Sequence, residues 1–166
     1  EILNYDKNYY KNIFKAEKIE ISFEMNSIFS DLILIKSLDI YDPEFFLDIN
    51  IKKDNGNTNN KKIYEDNIGL AKKINENIPD KIWPKKNKDI NFLIKKSNLY
   101  GSVGYIKVPQ ILNPSKVKLS QMKFSSFGND KNYRHYKDIL SSILFDLYAR
   151  THVIELKQLL KKIYKF

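Results

Sequence analysis

The chain lacks several of the residue types on which chemistry at protein sites most often depends. It has no cysteine, two histidines, two arginines and five glycines in 166 residues. The missing thiols exclude a disulfide scaffold, a cysteine nucleophile and a thiolate metal site. Because His135 and His152 are the whole supply of imidazoles, we expect no metal site and no cofactor. The apolar runs are also short, so the sequence predicts no membrane span.

What the chain has in excess is lysine, and the excess is unevenly spread. The net charge is +9. Residues 1–60 contain 7 lysines against 11 acidic residues, whereas residues 61–166 contain 22 basic residues against 9 acidic ones. This asymmetry predicts an anionic partner for the second part, most often a nucleic acid. The alternative is a solvated surface whose lysines, like the abundant Asn, Ile and Tyr, reflect an AT-rich coding sequence.

Three segments near the N-terminus have the periodicity of strands. KIEISFEM (18–25) and FFLDINIKK (45–53) alternate apolar and polar residues, which is the pattern of a half-buried strand. DLILIKSL (31–38) is an almost continuous apolar run, which is typical of a central strand. Since the links between them are short, we predict a three-stranded antiparallel meander.

The rest of the chain predicts a loop, a helix, a mixed region and a helical tail. KKDNGNTNNKK (52–62) breaks every period and predicts a loop. Apolar residues at helical spacing from Ile63 to Ile78 predict a helix that ends at Pro79. The patterns that follow predict a strand at 90–96, a short helix at 106–112, a short strand at 117–119, a turn at 125–130, and helices at 136–149 and 156–163.

These elements together predict an α+β fold. The first part is a small three-stranded antiparallel N-terminal lobe at 1–55. A linker and connecting helix follow at 56–88, and a second, basic α/β lobe with C-terminal helices occupies 89–166. No internal repeat is apparent in the sequence.

Gly-Ser-Val-Gly at 101–104 is the pattern that invites a phosphate-loop interpretation. A Walker loop requires four residues between its glycines and then a lysine with a hydroxyl residue, and a dinucleotide fingerprint requires three spaced glycines. This stretch has only Gly101 and Gly104. We therefore expect the glycines to allow a positive φ or a close backbone approach at a bend.

The sequence gives little support for catalysis. Neither histidine has a serine nucleophile or an orienting partner in its surroundings. The carboxylates of Glu17, Glu20 and Glu24 lie on the polar face of a predicted strand, where solvation is the ordinary role. We expect that the protein is not an enzyme and has no small-molecule substrate.

Clusters of cations interleaved with rings favour RNA contact instead. Lysines crowd the region around Trp83 and Tyr100, and KNYRHY (131–136) alternates cations with aromatic residues. Cations neutralise phosphates while rings offer stacking faces, and RNA recognition combines both. The alternative is that the tyrosines are core and the lysines keep the surface soluble. The candidate RNA-binding residues are Lys36, Lys81, Lys85, Lys86, Lys88, Lys95, Lys96, Lys131 and Arg134.

Two segments resemble the family of the bacterial-type large-subunit ribosomal protein L nine. The lysine-rich strand INFLIKK and the following LYGSV (99–103) resemble the strand and Leu-Phe/Tyr-Gly-Ser-Val-Thr motif of its C-terminal domain, with Gly104 in place of Thr. KVKLSQMKFSSFG (116–128) is similar to a later stretch of that domain. SDLILIK (30–36) resembles a strand of its N-terminal domain.

The resemblance implies a structural component of a large ribosomal subunit, in the first place mitochondrial or otherwise organellar. Its partners would be rRNA and neighbouring ribosomal proteins. Because residues 1–60 are acidic in sum, we expect the second lobe to carry the RNA contacts and the first to contact proteins. The alternative is a non-catalytic protein-interaction or assembly subunit of another organellar complex, whose basic surface is incidental.

Overall fold

The computed structural model describes residues 2–3, 9–53, 62–67, 91–128 and 136–165 of the chain. These residues form two β-sheets and two C-terminal helices. The strands are β1 (Ile2–Leu3), β2 (Asn12–Lys15), β3 (Lys18–Phe23), β4 (Leu32–Tyr41), β5 (Glu44–Lys53), β6 (Lys62–Asp66), β7 (Asn91–Tyr100), β8 (Val103–Lys107), β9 (Ser115–Lys118) and β10 (Met122–Gly128). The helices are α1 (Tyr136–Arg150) and α2 (Ile154–Tyr164).

The strands alternate between the two sheets as the chain proceeds. Sheet one has the order β1-β2-β5-β8-β9, and β6 pairs with the second half of β5. Sheet two has the order β10-β7-β4-β3. The central pairs, β4 with β7 and β5 with β8, are parallel, and all the other pairs are antiparallel.

A single parallel register runs through both sheets. Residues 32–41 pair with 91–100 in sheet two, and residues 44–48 pair with 103–107 in sheet one. Partners are 59 residues apart at every position of both ladders. The two paired segments share Leu-Ile-Lys at 34–36 and 93–95, and a tyrosine at Tyr41 and Tyr100. The structure therefore aligns two similar segments that sequence inspection alone did not pair.

Both long segments bend at the same level, between the two sheets. The backbone N–H of Asp42 donates to the carbonyl of Tyr100 (2.8 Å), and that of Val103 donates to the carbonyl of Pro43 (2.9 Å). Gly101 has φ +69°, and a Cβ there would lie 2.0 Å from Oδ1 of Asp42. The prediction that this glycine allows a positive φ and a close approach at a bend is confirmed, although the bend joins two strands.

One hydrophobic core lies between the inner faces of the sheets and the helices. Sheet one contributes residues such as Leu47 and Ile106, and sheet two contributes Leu99 and Phe124. Helix α1 places Leu147 against them, and a Cβ on Gly104 would lie 2.7 Å from Cδ1 of that leucine. The second glycine of the GSVG stretch thus allows close packing of the helix on sheet one.

The predicted fold class is wrong. Strands from before and after the 56–88 segment interleave in both sheets, so the described residues do not form a three-stranded lobe joined by a helix to an α/β lobe. β3 and β4 pair antiparallel as predicted, but β5 turns at Asp42–Pro43 into the other sheet instead of completing a meander. Apart from the C-terminal helices the described residues are mostly strand.

Three predicted elements differ from the observed ones. The start of the predicted helix at 63–78 is strand β6, and the rest of it lies outside the described residues. The predicted helix at 106–112 begins as the end of β8, because Ile106 and Val108 alternate with half-exposed neighbours on a sheet. The predicted turn at 125–130 contains the second half of β10, where Ser126 has φ +54°.

The helical tail is confirmed. α1 and α2 cover the two predicted segments, and the break falls at Thr151–His152. Leu156, Leu160 and Ile163 of α2 are buried in the core. The hydroxyl of Tyr164 donates to Oδ2 of Asp66 (2.7 Å), and this buried hydrogen bond fixes the end of α2 to β6.

Candidate nucleic-acid interface

The outer face of sheet one carries a cluster of four aromatic rings, here called the aromatic face, which consists of Tyr9, Tyr10, Phe46 and Tyr105. Phe46 and Tyr105 are register partners in the parallel pair β5–β8, so their rings lie side by side. Their centroids are 5.1 Å apart and their planes differ by 8°. Tyr10 packs against Phe46 at 5.1 Å, and Tyr9 meets Tyr10 edge-on at 5.0 Å.

These rings point outward because the strands alternate. Leu47 and Ile106 turn into the core, so Phe46 and Tyr105 on either side of them face away from it. The buried carboxylate of Asp48 accepts a hydrogen bond from the backbone N–H of Tyr9 and so holds the tyrosine pair against the sheet. Burial, with the adjacent Tyr9 and Asp48, raises the pKa of the Tyr10 hydroxyl above its ordinary range.

Two lysines lie on the rings of the aromatic face. Lys116 of β9 is the register partner of Tyr105, and its Nζ is 5.5 Å from the centre of that ring. Nζ of Lys107 is 5.2 Å from the ring of Tyr9 and also donates to the carbonyls of Ile111 and Leu112, both at 2.7 Å. Cation and ring contacts of this kind are favourable at an exposed site. A row Lys116–Tyr105–Phe46 therefore crosses three neighbouring strands.

A cleft with basic walls, the basic cleft, lies on the other side of β9. Its volume is about 540 Å³, and its lining residues are Ser115, Lys116, Val117, Lys118, Ala149, Arg150, Thr151, His152 and Val153. β9 is the edge strand of sheet one, and the turn between α1 and α2 forms the opposite wall. No ion pair formed between described residues involves Lys116 or Lys118.

Arg150 is the one cation of the cleft with a carboxylate partner among the described residues. Its Nε is 3.1 Å from Oδ1 of Asp146, one turn earlier on α1. The same carboxylate accepts the backbone N–H of Ser120 (2.7 Å) and its hydroxyl (2.8 Å). Burial alone would raise the pKa of Asp146, but the Ser120 donors and the guanidinium together hold that pKa below its ordinary value.

The outer face of sheet two has a similar row with a different charge balance. Tyr41 and Tyr100 are register partners and stack at 5.1 Å with planes 16° apart, and Nζ of Lys18 is 5.4 Å from the Tyr41 ring. Here Oε1 of Glu20 is 2.6 Å from Nζ of Lys18, and Oε2 of Glu20 accepts the Tyr41 hydroxyl at 3.0 Å. These contacts with Lys18 and Tyr41 lower the pKa of Glu20. The lysine of this row is therefore already neutralised.

Three of the nine predicted RNA-binding residues lie in the described part of the chain. The constant register places Lys36 and Lys95 at equivalent positions on β4 and β7, and Lys96 faces the opposite side of the sheet. Nζ of Lys95 is 2.7 Å from Oε2 of Glu24, and this contact lowers the pKa of the glutamate. The other six, Lys81, Lys85, Lys86, Lys88, Lys131 and Arg134, lie outside the described residues. RNA binding by all nine stays a prediction.

Sequence reasoning missed both the aromatic face and the basic cleft. Tyr10, Phe46 and Tyr105 are far apart in the chain, and parallel pairing between strands 59 residues apart has no local signal. One signal was present in the sequence. Phe46 and Tyr105 each stand next to a core residue in an alternating segment, so the alternation places both rings on the face away from the core.

Comparison with models of protein families, with curated proteins and with solved structures gives no match to this chain. Within the described ranges, neither helix has the length and apolar character that a membrane crossing requires. The same ranges contain no group of three His, Asp or Glu side chains placed to hold a metal ion. The site must therefore be interpreted from its own chemistry, which is that of one exposed and three half-buried rings beside lysines that form no ion pair with the described residues.

Proposed function

We propose that this protein is a non-catalytic RNA-binding subunit of a ribonucleoprotein, and that the aromatic face and the basic cleft form its RNA surface. The observation that carries the proposal is the Lys116–Tyr105–Phe46 row. Rings on a sheet surface stack with unpaired bases, and lysines at the edge neutralise the phosphates between them. Because unpaired bases can stack on the outermost ring, Tyr9, which is 61% exposed, a single strand suits this surface better than a duplex.

Binding to single-stranded RNA tests this proposal directly. A fluorescently labelled 12-nucleotide RNA should bind the full chain, and its affinity should fall steeply as salt is raised. Contacts with about six phosphates give a log–log slope on the order of −4 for a single strand. The test variant is Tyr105→Ala, which removes a ring of the proposed surface. Its matched control is Tyr100→Ala, which removes the corresponding ring of sheet two. Equal affinity of the two variants, or a flat salt response, would contradict the proposal.

Within this class we propose a large ribosomal subunit, in the first place that of a mitochondrion or other organelle. What supports it is the resemblance of LYGSV (99–103) and SDLILIK (30–36) to the ribosomal family, together with the +9 net charge. The partners would then be rRNA and neighbouring ribosomal proteins. The test is co-sedimentation of the native protein with the large subunit in a gradient, and its retention there after a high-salt wash.

A second candidate function is a protein-interaction or assembly subunit of another organellar complex. Exposed apolar side chains at the start of sheet two favour it, because Phe29 is 94% exposed and Met25 71%. Ile19 and Ile21 on the edge strand β3 are about half exposed as well. RNA binding separates the two functions, since this alternative predicts a complex that survives ribonuclease treatment.

A further inference from the structure

The basic cleft contains a polar group for which the protein supplies no partner. Thr151 is 3% exposed, and its Oγ1 has no hydrogen-bond partner among the described residues. A buried hydroxyl left in this state costs folding free energy, so such groups mark the position of a bound ion, water or ligand. Thr151 is a lining residue of the cleft, so its buried hydroxyl lies in the cleft wall.

The start of helix α2 lies at the same place. The residue at its N-cap is Val153, whose side chain offers no hydrogen-bond acceptor, and this residue also lines the cleft. The first backbone bond within the helix runs from the N–H of Lys157 to the carbonyl of Val153 (2.9 Å). The N–H groups of residues 154–156 therefore lack helical acceptors, and they form the positive end of the helix dipole. An anion in the cleft would act as their cap. The first turn of the helix has one acidic residue, Glu155, and its side chain is exposed.

The charge of the cleft specifies the kind of anion. Lys116, Lys118 and Arg150 carry three permanent positive charges, and Asp146 neutralises part of one of them. The sum, about +2, matches a phosphate monoester, which is close to dianionic at pH 7 because its second pKa is about 6. A phosphodiester in an RNA backbone carries only one negative charge. The volume of about 540 Å³ is enough for a nucleotide-sized group.

We infer that the basic cleft is a site for a phosphate monoester, which the Thr151 hydroxyl, the first N–H groups of α2 and the side chains of Lys118 and Arg150 bind. Two sources carry this chemistry. One is the 5′-phosphate at the end of an RNA strand, and this source rests on the function proposed above. The other is a free nucleoside monophosphate, which does not depend on that function.

The test titrates adenosine 5′-monophosphate, with adenosine as the phosphate-free control, into the full chain. Calorimetry gives the affinity, and ¹H–¹⁵N spectra report the backbone amides of Thr151, Ile154 and Glu155. We expect the monophosphate to shift these amides and adenosine to leave them unchanged. Thr151→Val keeps the shape of the side chain and should weaken binding about ten- to a hundredfold, as the loss of one hydrogen bond to a charged group does. Lys118→Ala should have an effect of similar size.

The control variant is Lys123→Ala, which removes one exposed positive charge from β10 outside the cleft. It should weaken binding less than twofold. The inference is overturned if the monophosphate leaves the amides of 151–155 unshifted, if Thr151→Val binds it as wild type does, or if Lys123→Ala is as harmful as Lys118→Ala.

Two RNA arms identify the source of the phosphate. If a 5′-phosphorylated 12-mer binds more tightly than the 5′-hydroxyl 12-mer, and Thr151→Val abolishes the difference, the cleft holds a strand end. If the two 12-mers bind equally while the monophosphate still binds in the cleft, the inference stands and the source is a free nucleotide. If neither RNA binds and the monophosphate does, the proposed RNA function fails and the phosphate site remains.

Discussion

The outer faces of the two sheets repeat one arrangement of lysine and rings with a different charge balance. In sheet one Lys116 lies over Tyr105, which stacks on Phe46. In sheet two Lys18 lies over Tyr41, which stacks on Tyr100. In each row the two rings lie on strands that pair in parallel with the same 59-residue register. The lysine of each row lies on the next strand, which is antiparallel, directly opposite one of the rings. Ring stacking alone therefore does not distinguish a binding face from an ordinary sheet surface.

The residue two positions after the lysine makes the difference. In β3 this residue is Glu20, which contacts both Lys18 and the Tyr41 hydroxyl. In β9 the equivalent residue is Lys118, which adds a second positive charge to the row and to the basic cleft. The tyrosine hydroxyl contacts a carboxylate in both rows, since that of Tyr105 donates to Oε1 of Glu44 at 3.1 Å. The two rows therefore differ in the partner of the lysine and not in the partner of the ring.

Exchanging these two residues should have the largest effect. Lys118→Glu places a carboxylate where sheet two has Glu20, so we expect RNA affinity to fall about 30-fold, or by about 2 kcal/mol, through one lost contact and one repulsion. The salt dependence should weaken at the same time. Fluorescence anisotropy with a labelled single strand over a series of salt concentrations measures both quantities.

The reciprocal change, Glu20→Lys, serves as the matched control. It removes the neutralising carboxylate from sheet two, so we expect RNA affinity to stay the same or rise. A loss of affinity comparable to that of Lys118→Glu would show that the two faces do not differ in the way proposed here.

The helices are also held to sheet one by specific contacts. Tyr164→Phe tests the hydrogen bond between the end of α2 and Asp66 of β6. This change removes the buried donor to Asp66 and leaves the carboxylate without that hydrogen bond. We expect the free energy of unfolding to fall by about 2 kcal/mol, as for the loss of a hydrogen bond to a buried charged group. Urea denaturation followed by circular dichroism measures it. An unchanged free energy of unfolding in Tyr164→Phe would remove the special role of the Asp66 contact.

The rings themselves should contribute somewhat less. Tyr105→Ala removes a stacking surface, so we expect about a tenfold loss of RNA affinity, within the 1–3 kcal/mol per base that stacking supplies. Tyr100→Ala should change affinity less than twofold. Circular dichroism of both variants checks that they remain folded, and equal affinities in folded variants would assign the binding to another surface.

The smallest effect concerns the response of the Asp146 contacts to acid. Because the pKa of Asp146 is below its ordinary value in the folded protein, its ionisation stabilises the fold above the ordinary aspartate pKa of about 3.9. This contribution is lost as the pH falls through that value and below it. We expect Asp146→Asn to cost about 1 kcal/mol at pH 7 and nothing near pH 2. A cost independent of pH in urea titrations would contradict this explanation.

Local periodicity was enough to predict much of the secondary structure but little of its arrangement. The strands predicted within 18–25 and 45–53 and the helical tail were correct as elements. The half-buried face predicted for the first of these strands was wrong, because every residue of β3 is exposed. Pairing depends on the partner. Nothing in DLILIKSL indicates that its neighbour in space begins at Asn91, so the antiparallel meander was the simplest arrangement and was wrong.

Particular residues explain why the strands β8 and β10 were not predicted correctly. Pro109 and the apolar residues around it matched a first helical turn, although Ile106 already alternates as a strand residue in β8. Two serines and a glycine in β10 have the composition of a turn and so predicted one. Ser126 does adopt a positive φ, but the strand continues on both sides of it. The candidate site was missed for a related reason, since the sequence shows a clustering of lysines but not the contacts of Lys18 and Lys95 with glutamates.

The constant 59-residue register also has a consequence for the folding rate. Neither parallel ladder can form until a loop of that length closes, and the entropy of closure is on the order of 3–4 kcal/mol before any contact offsets it. Because the bend at Asp42 and Gly101 connects the two ladders, one closure event aligns both sheets. We expect folding in milliseconds to seconds in spite of the two helices, with a rate that depends on the bend more than on helix propensity.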